Sequence, residues 1–210
     1  MKRIAIIGSA HLGQQVLHHI RTDTNDKVVG FFDDFQEKGN LVKDVPILGN
    51  TSDIIDSFKQ DVFDEILIAI GYKHLEFKKQ VFEYFKNKVP FYTFIHSTSI
   101  VDPSAKIGQG TIIYPNCMLD QDVKIGDNVL VNISCTISHD SIIGNHCFLS
   151  PSASLAGFVQ IGELCIIGIN STLIDNVKIS QKIQLGGGTV VIRNLDTSGL
   201  YVGNPARFIR

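Results

Sequence analysis

The second half of the chain is dominated by an aliphatic residue that recurs at every sixth position. The series runs without insertion from Ile95 to Val191, through seventeen positions, and a small or β-branched residue follows four positions after the first sixteen members. Ile-Gly pairs that begin at residues 107, 125, 143 and 161 add a stronger period of 18. An α-helix repeats every 3.6 residues and a half-buried strand every 2, so neither produces this pattern. Because six residues form one short strand and one corner, the sequence predicts a three-sided parallel β-helix.

The first half alternates between short apolar strands and amphipathic helices. Strands are predicted at Arg3–Ile7, Lys27–Phe32 and residues 66–70, and helices at residues 53–58, at Leu75–Phe85 and around Val16, Leu17 and Ile20. Strands that alternate with helices indicate a small parallel sheet. We therefore predict an α/β, Rossmann-like N-terminal domain over residues 1–94, the β-helix over 95–196 and a C-terminal tail over 197–210.

The distribution of aromatic residues supports this division. Of the 18 Phe and Tyr residues, 13 precede residue 95 and three fall within residues 95–196. A compact domain normally fills its centre with large rings. The second half is therefore built on a different principle from the first.

Charge and hydropathy exclude several classes of function. The net charge is −2 and no segment is strongly basic, which argues against nucleic-acid binding. No apolar run approaches the roughly 20 residues of a membrane span. No charged-then-apolar leader opens the sequence, so we expect a cytoplasmic protein.

All four cysteines fall in the column of small residues that follows each aliphatic position. They are Cys117, Cys135, Cys147 and Cys165. No CxxC spacing occurs among them, and buried cysteine packs as a small hydrophobe. We therefore expect structural thiols rather than disulfides, a nucleophile or a metal site.

The turn after the first strand is a candidate ligand site. Gly8-Ser9-Ala10-His11-Leu12-Gly13 lacks the middle glycine of GxGxxG and is not followed by GK[ST], so it matches neither a dinucleotide fingerprint nor a P-loop. A helix N-terminus there would bind phosphate or sugar, and Asp33-Asp34 after the second strand would accept hydroxyl hydrogen bonds. The alternative is a purely structural turn with two solvated carboxylates.

Several motifs in order resemble a known family. They are the Gly-rich turn, Asp33-Asp34, the strand end Ile68-Ala69-Ile70-Gly71, the hexapeptide array and the closing Val202-Gly203-Asn204-Pro205-Ala206. Together they resemble the hexapeptide-repeat bacterial sugar acetyltransferases, which include sialic-acid O-acetyltransferases and UDP-4-amino-sugar N-acetyltransferases. The resemblance implies a left-handed β-helix, a homotrimer with acetyl-CoA bound between subunits, and a nucleotide-sugar held by the N-terminal domain. The substrate residues it implies are Ser9, Ala10, His11, Leu12, Asp33, Asp34 and Gly71, although His11 stands one place earlier than the family's histidine.

The family's catalytic motif, a histidine and an acidic residue before Ile-Gly, matches His139-Asp140 followed by Ile143-Gly144. Both side chains can face outward because the pair lies at a predicted corner. A histidine base would take the proton of the attacking group, and Asp140 would orient the imidazole and stabilise its protonated form. Without the family, an exposed corner histidine beside a solvated aspartate is the simpler interpretation.

The 18-residue register places Gly157 one coil beyond His139. The missing side chain would leave a gap beside the base for a thioester, and nearby backbone N–H groups would stabilise the oxyanion. Alternatively, a corner there requires unusual backbone dihedrals. The resemblance adds Gly157, Ile169 and Gly187 as acetyl-CoA contacts. Many relatives carry a second histidine nine residues after the first; Phe148 stands there, so we expect an apolar contact with the donor.

The sequence therefore predicts an acetyltransferase that moves acetyl from acetyl-CoA to the amine of a nucleotide-linked amino sugar of the 4-amino-4,6-dideoxyhexose type, in one direct step. The alternative within the family is O-acetylation of sialic acid or a related sugar. A scaffold protein that has lost catalysis is a second class, which the intact His139-Asp140 pair disfavours. A nicotinamide oxidoreductase is a third, which the missing GxGxxG motif disfavours.

Overall fold

The computed structural model describes all residues from Met1 to Arg210 and divides into two compact units, Met1–Thr93 and Phe94–Arg210. The boundary lies one residue before the predicted one. Residues 197–210, predicted as a separate tail, belong to the second unit. None of the helices combines the length and the apolar character needed to span a membrane.

The N-terminal unit is a five-stranded sheet flanked by helices. Its elements are β1 (Arg3–Ile7), α1 (His11–Asp23), β2 (Lys27–Phe32), β3 (Leu41–Val42), β4 (Val45–Gly49), α2 (Ile54–Lys59), β5 (Glu65–Ile68) and α3 (Leu75–Phe85), with 3₁₀ turns at Thr51–Asp53 and Tyr72–His74. The strand order is β3-β4-β2-β1-β5, and only β3 runs antiparallel to its neighbour. The third predicted strand, β5, ends two residues earlier than expected.

The hairpin of β3 and β4 was not predicted. Lys43 and Asp44 form its two-residue turn, with φ of 51° and 64°. Two consecutive left-handed residues are the signature of a tight hairpin turn, which sequences usually mark with Asn-Gly or Asp-Gly. Lys-Asp gives no such signal.

Two glycines fix the turn between β1 and α1. Gly8 has a φ of 94°, and a β-carbon there would lie 3.0 Å from the carbonyl oxygen of Ala69. A β-carbon on Gly13 would collide with the carbonyl oxygen of Gly8. Only glycine therefore allows α1 to begin this close to the end of β1, next to the end of β5.

The second unit is the predicted parallel β-helix. Its strands are β6 (Phe94–Ile95), β7 (Ile100–Val101), β8 (Lys106–Ile107), β9 (Ile112–Ile113), β10 (Met118–Leu119), β11 (Lys124–Ile125), β12 (Leu130–Val131), β13 (Thr136–Ile137), β14 (Ile142–Ile143), β15 (Phe148–Leu149), β16 (Ser154–Leu155), β17 (Gln160–Ile161), β18 (Ile166–Ile167), β19 (Thr172–Leu173), β20 (Lys178–Ile179), β21 (Ile183–Leu185), β22 (Val190–Val191), β23 (Gly199–Val202) and β24 (Arg207–Phe208). Each strand from β9 to β19 pairs in parallel with the strands three before and three after it. The strands form three faces, which we call the β15 face, the β13 face and the β14 face after one member of each.

Most corners of the prism repeat one backbone device. Twelve non-glycine corner residues, six positions apart from Asn116 to Lys182, have φ between 55° and 64°. The residue after each of them is the small one of the repeat, and it is buried. A left-handed residue turns the chain sharply, so the next two-residue strand starts on a new face.

The small residues also carry a ladder of hydrogen bonds. Hydroxyl and thiol groups in this column donate to the carbonyl oxygen 15 residues later: Ser99 to Tyr114, Thr111 to Gly126, Cys117 to Asn132, Cys135 to Ser150, Ser141 to Ala156, Cys147 to Gly162, Cys165 to Ser180 and Ser171 to Gly186. All four cysteines are buried and none of them forms a disulfide. Thiols and hydroxyls thus perform the same structural task.

Residues 195–210 cover the last strand of all three faces. Leu195 exchanges backbone hydrogen bonds with β20 at Lys178 and Ser180. Strand β23 adds to β21, and β24 turns back antiparallel along β23. On the remaining face, Val190 of β22 donates its N–H to Gly203 and accepts one from Ala206.

Candidate active site

His139 and Asp140 occupy the corner between β13 and β14. Asp140 is the left-handed residue there, with a φ of 57°, so both side chains project outward as predicted. Nδ1 of His139 lies 3.0 Å from Oδ2 of Asp140, and the two side chains are 47% and 43% exposed. A carboxylate at Nδ1 holds the proton on that nitrogen and leaves the Nε2 lone pair available. The pair thus has the arrangement of an oriented general base.

Gly157 lies directly against this imidazole. A β-carbon at Gly157 would stand 2.8 Å from both Cε1 and Nε2 of His139. The expected gap beside the base is therefore filled by the ring itself. Gly157 does not have a positive φ, whereas Phe158 does, at 60°. Close approach of the ring, and not an unusual backbone conformation, is the reason for glycine.

The N–H of Gly157 is not a free oxyanion donor. It donates to Oδ1 of Asp175 at 3.1 Å, one coil further along the same corner. The predicted stabilisation of an oxyanion by backbone N–H groups near Gly157 therefore stays a prediction for N–H groups other than this one. Asp175 was not among the predicted site residues, although it follows Gly157 by the 18 positions of one coil.

Phe158 completes the surroundings of His139. Its ring centroid lies 5.1 Å from that of the imidazole, with an angle of 89° between the planes. This is the edge-to-face geometry that aromatic rings prefer. His139 thus touches a carboxylate, a glycine and an aromatic ring.

The other predicted acetyl-CoA residues lie elsewhere on the prism. Gly187 follows Ile169 by one coil, at the corners between the β15 and β13 faces, and a β-carbon on Gly187 would meet Cγ2 of Ile169 at 2.9 Å. Ile169 is 56% exposed. Phe148 belongs to the β15 face and is 8% exposed. One chain therefore brings only Gly157, of the four predicted contacts, to His139.

In the N-terminal unit, Asp33 accepts hydrogen bonds from the turn between β1 and α1, the turn beside which it was predicted to lie. Its Oδ2 accepts hydrogen bonds from the N–H of Ser9 at 2.8 Å and from Ser9 Oγ at 2.6 Å, and its Oδ1 accepts one from the N–H of Phe35 at 2.9 Å. Partial burial alone would raise the pKa of Asp33, but the hydrogen bonds from Ser9 and Phe35 outweigh it and lower that pKa. Asp33 therefore holds the turn together.

Asp34 points to a different neighbour. Its Oδ1 accepts from the N–H and hydroxyl of Thr51, at 2.7 and 3.0 Å. The two carboxylates, treated as one pair in the sequence, thus serve different segments. Asp34 also borders an open groove of about 440 Å³ whose other lining residues are Thr51, Ser52, Phe77, Gln80, Val81, Tyr84 and Phe85. The sequence analysis selected only Asp34 from this groove.

The remaining predicted substrate residues lie at the carboxyl ends of β1 and β5. Ser9 is buried, Ala10 precedes α1, and His11 and Leu12 begin it. Gly71 precedes the 3₁₀ turn that follows β5. Because β1 and β5 are adjacent parallel strands, these segments share one edge of the sheet, where ligands of open α/β sheets bind.

No group of three or more His, Cys, Asp or Glu side chains is arranged to hold a metal ion. This finding agrees with the hydrogen-bonded, buried state of the four cysteines.

Two family models match consecutive parts of the chain. The PglD N-terminal domain matches residues 3–85, and the GMPPB C-terminal domain matches residues 95–195. No curated protein sequence matches the chain.

Solved structures match over the full length. A histidine mutant of perosamine N-acetyltransferase from Caulobacter crescentus, in complex with CoA and GDP-perosamine, has 25% identity and a TM-score of 0.93, covering 100% of this chain and 98% of that one. The acetyltransferase domain of PglB from Neisseria gonorrhoeae FA1090 has 25% identity and a TM-score of 0.88, with both chains fully covered. WeeI from Acinetobacter baumannii AYE, at 22% identity and a TM-score of 0.84, shares the fold over both full lengths.

The match to these structures includes the hand of the prism, since a mirror-image coil would not superpose at a TM-score of 0.93. The prism is a left-handed β-helix, as the resemblance implied. This chain combines an N-terminal unit of the PglD type with a hexapeptide-repeat prism. It also agrees over its whole length with the structures of sugar acetyltransferases. The protein is a hexapeptide-repeat sugar acetyltransferase of the PglD-like group.

Proposed function

We propose that this protein transfers an acetyl group from acetyl-CoA to the amine of a nucleotide-linked amino sugar, with His139 as the general base. The single observation that carries the proposal is the His139–Asp140 pair, joined at 3.0 Å on an exposed corner. The Caulobacter crescentus structures with CoA and GDP-perosamine support the choice of substrates. A sugar of the 4-amino-4,6-dideoxyhexose type fits this choice.

The chemistry proceeds in one displacement. Nε2 of His139 takes a proton from the sugar amine as the amine nitrogen attacks the thioester carbonyl carbon. The tetrahedral intermediate then expels the CoA sulfur, which leaves as a thiol with the proton returned by the imidazolium. Asp140 stabilises the imidazolium through Nδ1. No acyl-enzyme forms.

The two units divide the binding tasks. In the N-terminal unit, the Ser9–Leu12 turn, the Gly71 turn and Asp34 offer backbone N–H groups and a carboxylate for the nucleotide-sugar. Because Asp33 is engaged by Ser9 and Phe35, it acts by shaping the turn. Ile169, Gly187 and Phe148 serve the acetyl donor on the prism together with Gly157.

These donor contacts require more than one chain. His139 and Ile169 lie on different corners, which flank the β13 face. That face presents the exposed, uncharged side chains of Ile100, Met118, Thr136, Ser154 and Thr172. In a homotrimer, the His139 corner of each prism meets the Ile169 corner of its neighbour. A thioester bound there would contact residues of both corners and be shielded from water. Light scattering should give a mass near three times 23.2 kDa.

The proposed substrates also suggest where in the cell the protein acts. Acetyl-CoA and nucleotide-sugars are cytoplasmic metabolites, and acetylated nucleotide-sugars are donors for glycan assembly. We therefore place the enzyme in the cytoplasm, at a step of glycan biosynthesis.

The test is a thiol-release assay with acetyl-CoA and a panel of UDP-, GDP-, dTDP- and CMP-linked amino sugars. At least one should support turnover by the native protein and not by His139→Ala. Gln121→Ala, at the same corner position one coil earlier, is the matched control and should remain active. Turnover with sialic acid but with none of the amino sugars would show that the protein acetylates a sugar hydroxyl and not an amine. Equal turnover by His139→Ala would contradict the proposed base.

A further inference from the structure

Phe158 is exceptional among the left-handed corner residues. Ten of the twelve are Asn, Asp, Ser, His or Lys, and only Phe158 and Leu164 are apolar. Left-handed backbone is strained for a bulky side chain, while Asn and Asp tolerate it. Leu164 is 6% exposed and so gains burial at its corner; Phe158 is 48% exposed. Burial in the prism core does not explain why an aromatic residue stands at position 158.

The contact that Phe158 makes is with the base. Its ring meets the imidazole of His139 at 5.1 Å and 89°, and its N–H donates to the carbonyl oxygen of His139 at 3.1 Å. Residue 158 follows Asp140 by one coil, so Phe158 occupies the next corner position above the residue that binds Nδ1. Strained backbone that persists without a stability gain is typical of functional sites.

His139 needs such a contact because its corner is open to solvent. The hydrogen bond to Asp140 fixes one ring atom, and Gly157 permits the ring to approach the backbone closely. Neither prevents the side chain from turning outward into another staggered conformation. A ring packed edge-to-face against the imidazole favours the conformation in which the two rings touch.

We infer that Phe158 is a positioning residue: it holds His139 in the conformation that presents Nε2 above Gly157. The inference rests on the proposed function of His139. Asp140 is the charged group that faces the imidazole, and Phe158 adds a purely apolar restraint on the ring. The residue thus favours one orientation of the base at the expense of local backbone strain.

Kinetics and stability of Phe158 variants test this inference. Phe158→Ala should lower kcat about two- to tenfold, the rate equivalent of one aromatic pair, with a smaller change in KM. Phe158→Tyr should retain most of the activity. Phe158→Gly should lower kcat as Phe158→Ala does, while its Tm equals or exceeds the native value because the strain is relieved. Lys182→Gly, at a left-handed corner with a φ of 58° between the β14 and β15 faces, is the control for strain relief and should keep native kcat.

Two further measurements separate positioning from other roles. In the ligand-free protein, the Cε1–H resonance of His139 should move in Phe158→Ala and stay close to native in Phe158→Tyr, because the aromatic ring current is lost only in the first. In a His139→Ala background, Phe158→Ala should cause no further loss of kcat/KM. A full additional loss would mean that Phe158 contacts substrate and would overturn the inference. An unchanged kcat in Phe158→Ala, with His139→Ala inactive, would overturn it while the proposed base stands.

Discussion

The two units of this chain place their functional residues in opposite ways. In the prism, the contacts around His139 join residues that are adjacent in the chain or about one coil apart: His139 with Asp140, Gly157 and Phe158, and Gly157 with Asp175. In the N-terminal unit, Asp33 and Asp34 bind partners 24 and 17 residues away that no period relates to them. The prism can vary an exposed corner without disturbing its core. The N-terminal site cannot be varied so freely, because its carboxylates also hold turns.

The sharpest test of this contrast is His139→Ala. We expect kcat/KM to fall by about 10²–10⁴, the usual contribution of a general base. The Tm should stay near the native value, because the side chain lies on an exposed corner and fills no core. Thermal unfolding followed beside the thiol-release assay checks both expectations; a large fall in Tm would show that prism corners are not independent of the core.

The same variant distinguishes the two acceptor chemistries. An amine is increasingly unprotonated at high pH, so the defect of His139→Ala should shrink as pH rises. A hydroxyl stays protonated over this range, so its defect should persist. The ratio of native to variant kcat/KM, measured across pH, therefore separates N- from O-acetylation.

Gly157→Ala should have the next largest effect. Its methyl group would overlap Cε1 and Nε2 of His139, so the ring must move. A displacement of about 1 Å at a reacting group costs up to about 10²-fold in rate. The kcat should fall while the oligomeric state and Tm remain, and native kcat would refute the placement of the ring over Gly157.

In the N-terminal unit, substitution of Asp33 should lower both the stability of the unit and its affinity for the nucleotide-sugar. Asp33→Ala removes three hydrogen bonds and should destabilise the unit by about 1–3 kcal/mol as well as weaken nucleotide-sugar binding. Asp34→Ala should weaken binding by about 1–3 kcal/mol with a smaller loss of stability, because its bonds to Thr51 are exposed. Hydrogen exchange and calorimetry measure the two quantities, and acetyl-CoA binding is the control. Unchanged sugar affinity in both variants would exclude this edge of the sheet as the site.

Asp33 also predicts a pH dependence. Its pKa is lowered in the folded protein, so its stabilising contribution is full above the ordinary carboxyl value of about 4 and is lost as pH falls through the lowered pKa. Asp33→Asn should flatten this acid-side loss. Exchange of the Ser9 amide, followed from pH 6 downward, checks the sign.

The smallest effect is expected in the hydrogen-bond ladder. Cys147→Ser replaces a thiol that donates to Gly162 by a hydroxyl like that of Ser141 or Ser171, which make the equivalent bond. We expect a stability change of about 1 kcal/mol or less and full activity. Loss of turnover in this variant would assign the cysteine a chemical role.

The prism was predictable because one rule fixes the position of each residue in it. Counting in sixes and eighteens located its faces, the His139 corner and Gly157, and would also have located Asp175. It did not show that the imidazole fills the space above Gly157, since a register gives positions and not side-chain conformations. Elsewhere, the Lys43-Asp44 hairpin lacks the usual turn residues, and the Ser9–Asp33 contact depends on how β1 and β2 pair.

The covering of the last strands by residues 195–210 bears on self-association. A β-helix that simply stopped would present open rows of N–H and C=O groups at its end, with the strand spacing of about 4.8 Å that another prism offers. Such ends template growth, and prisms would join end to end into fibres. Leu195, strand β23 and the Gly203–Ala206 turn occupy these rows on all three faces, and β24 reverses direction. The terminal segment therefore covers the rows that edge-to-edge growth at this end of the prism would need.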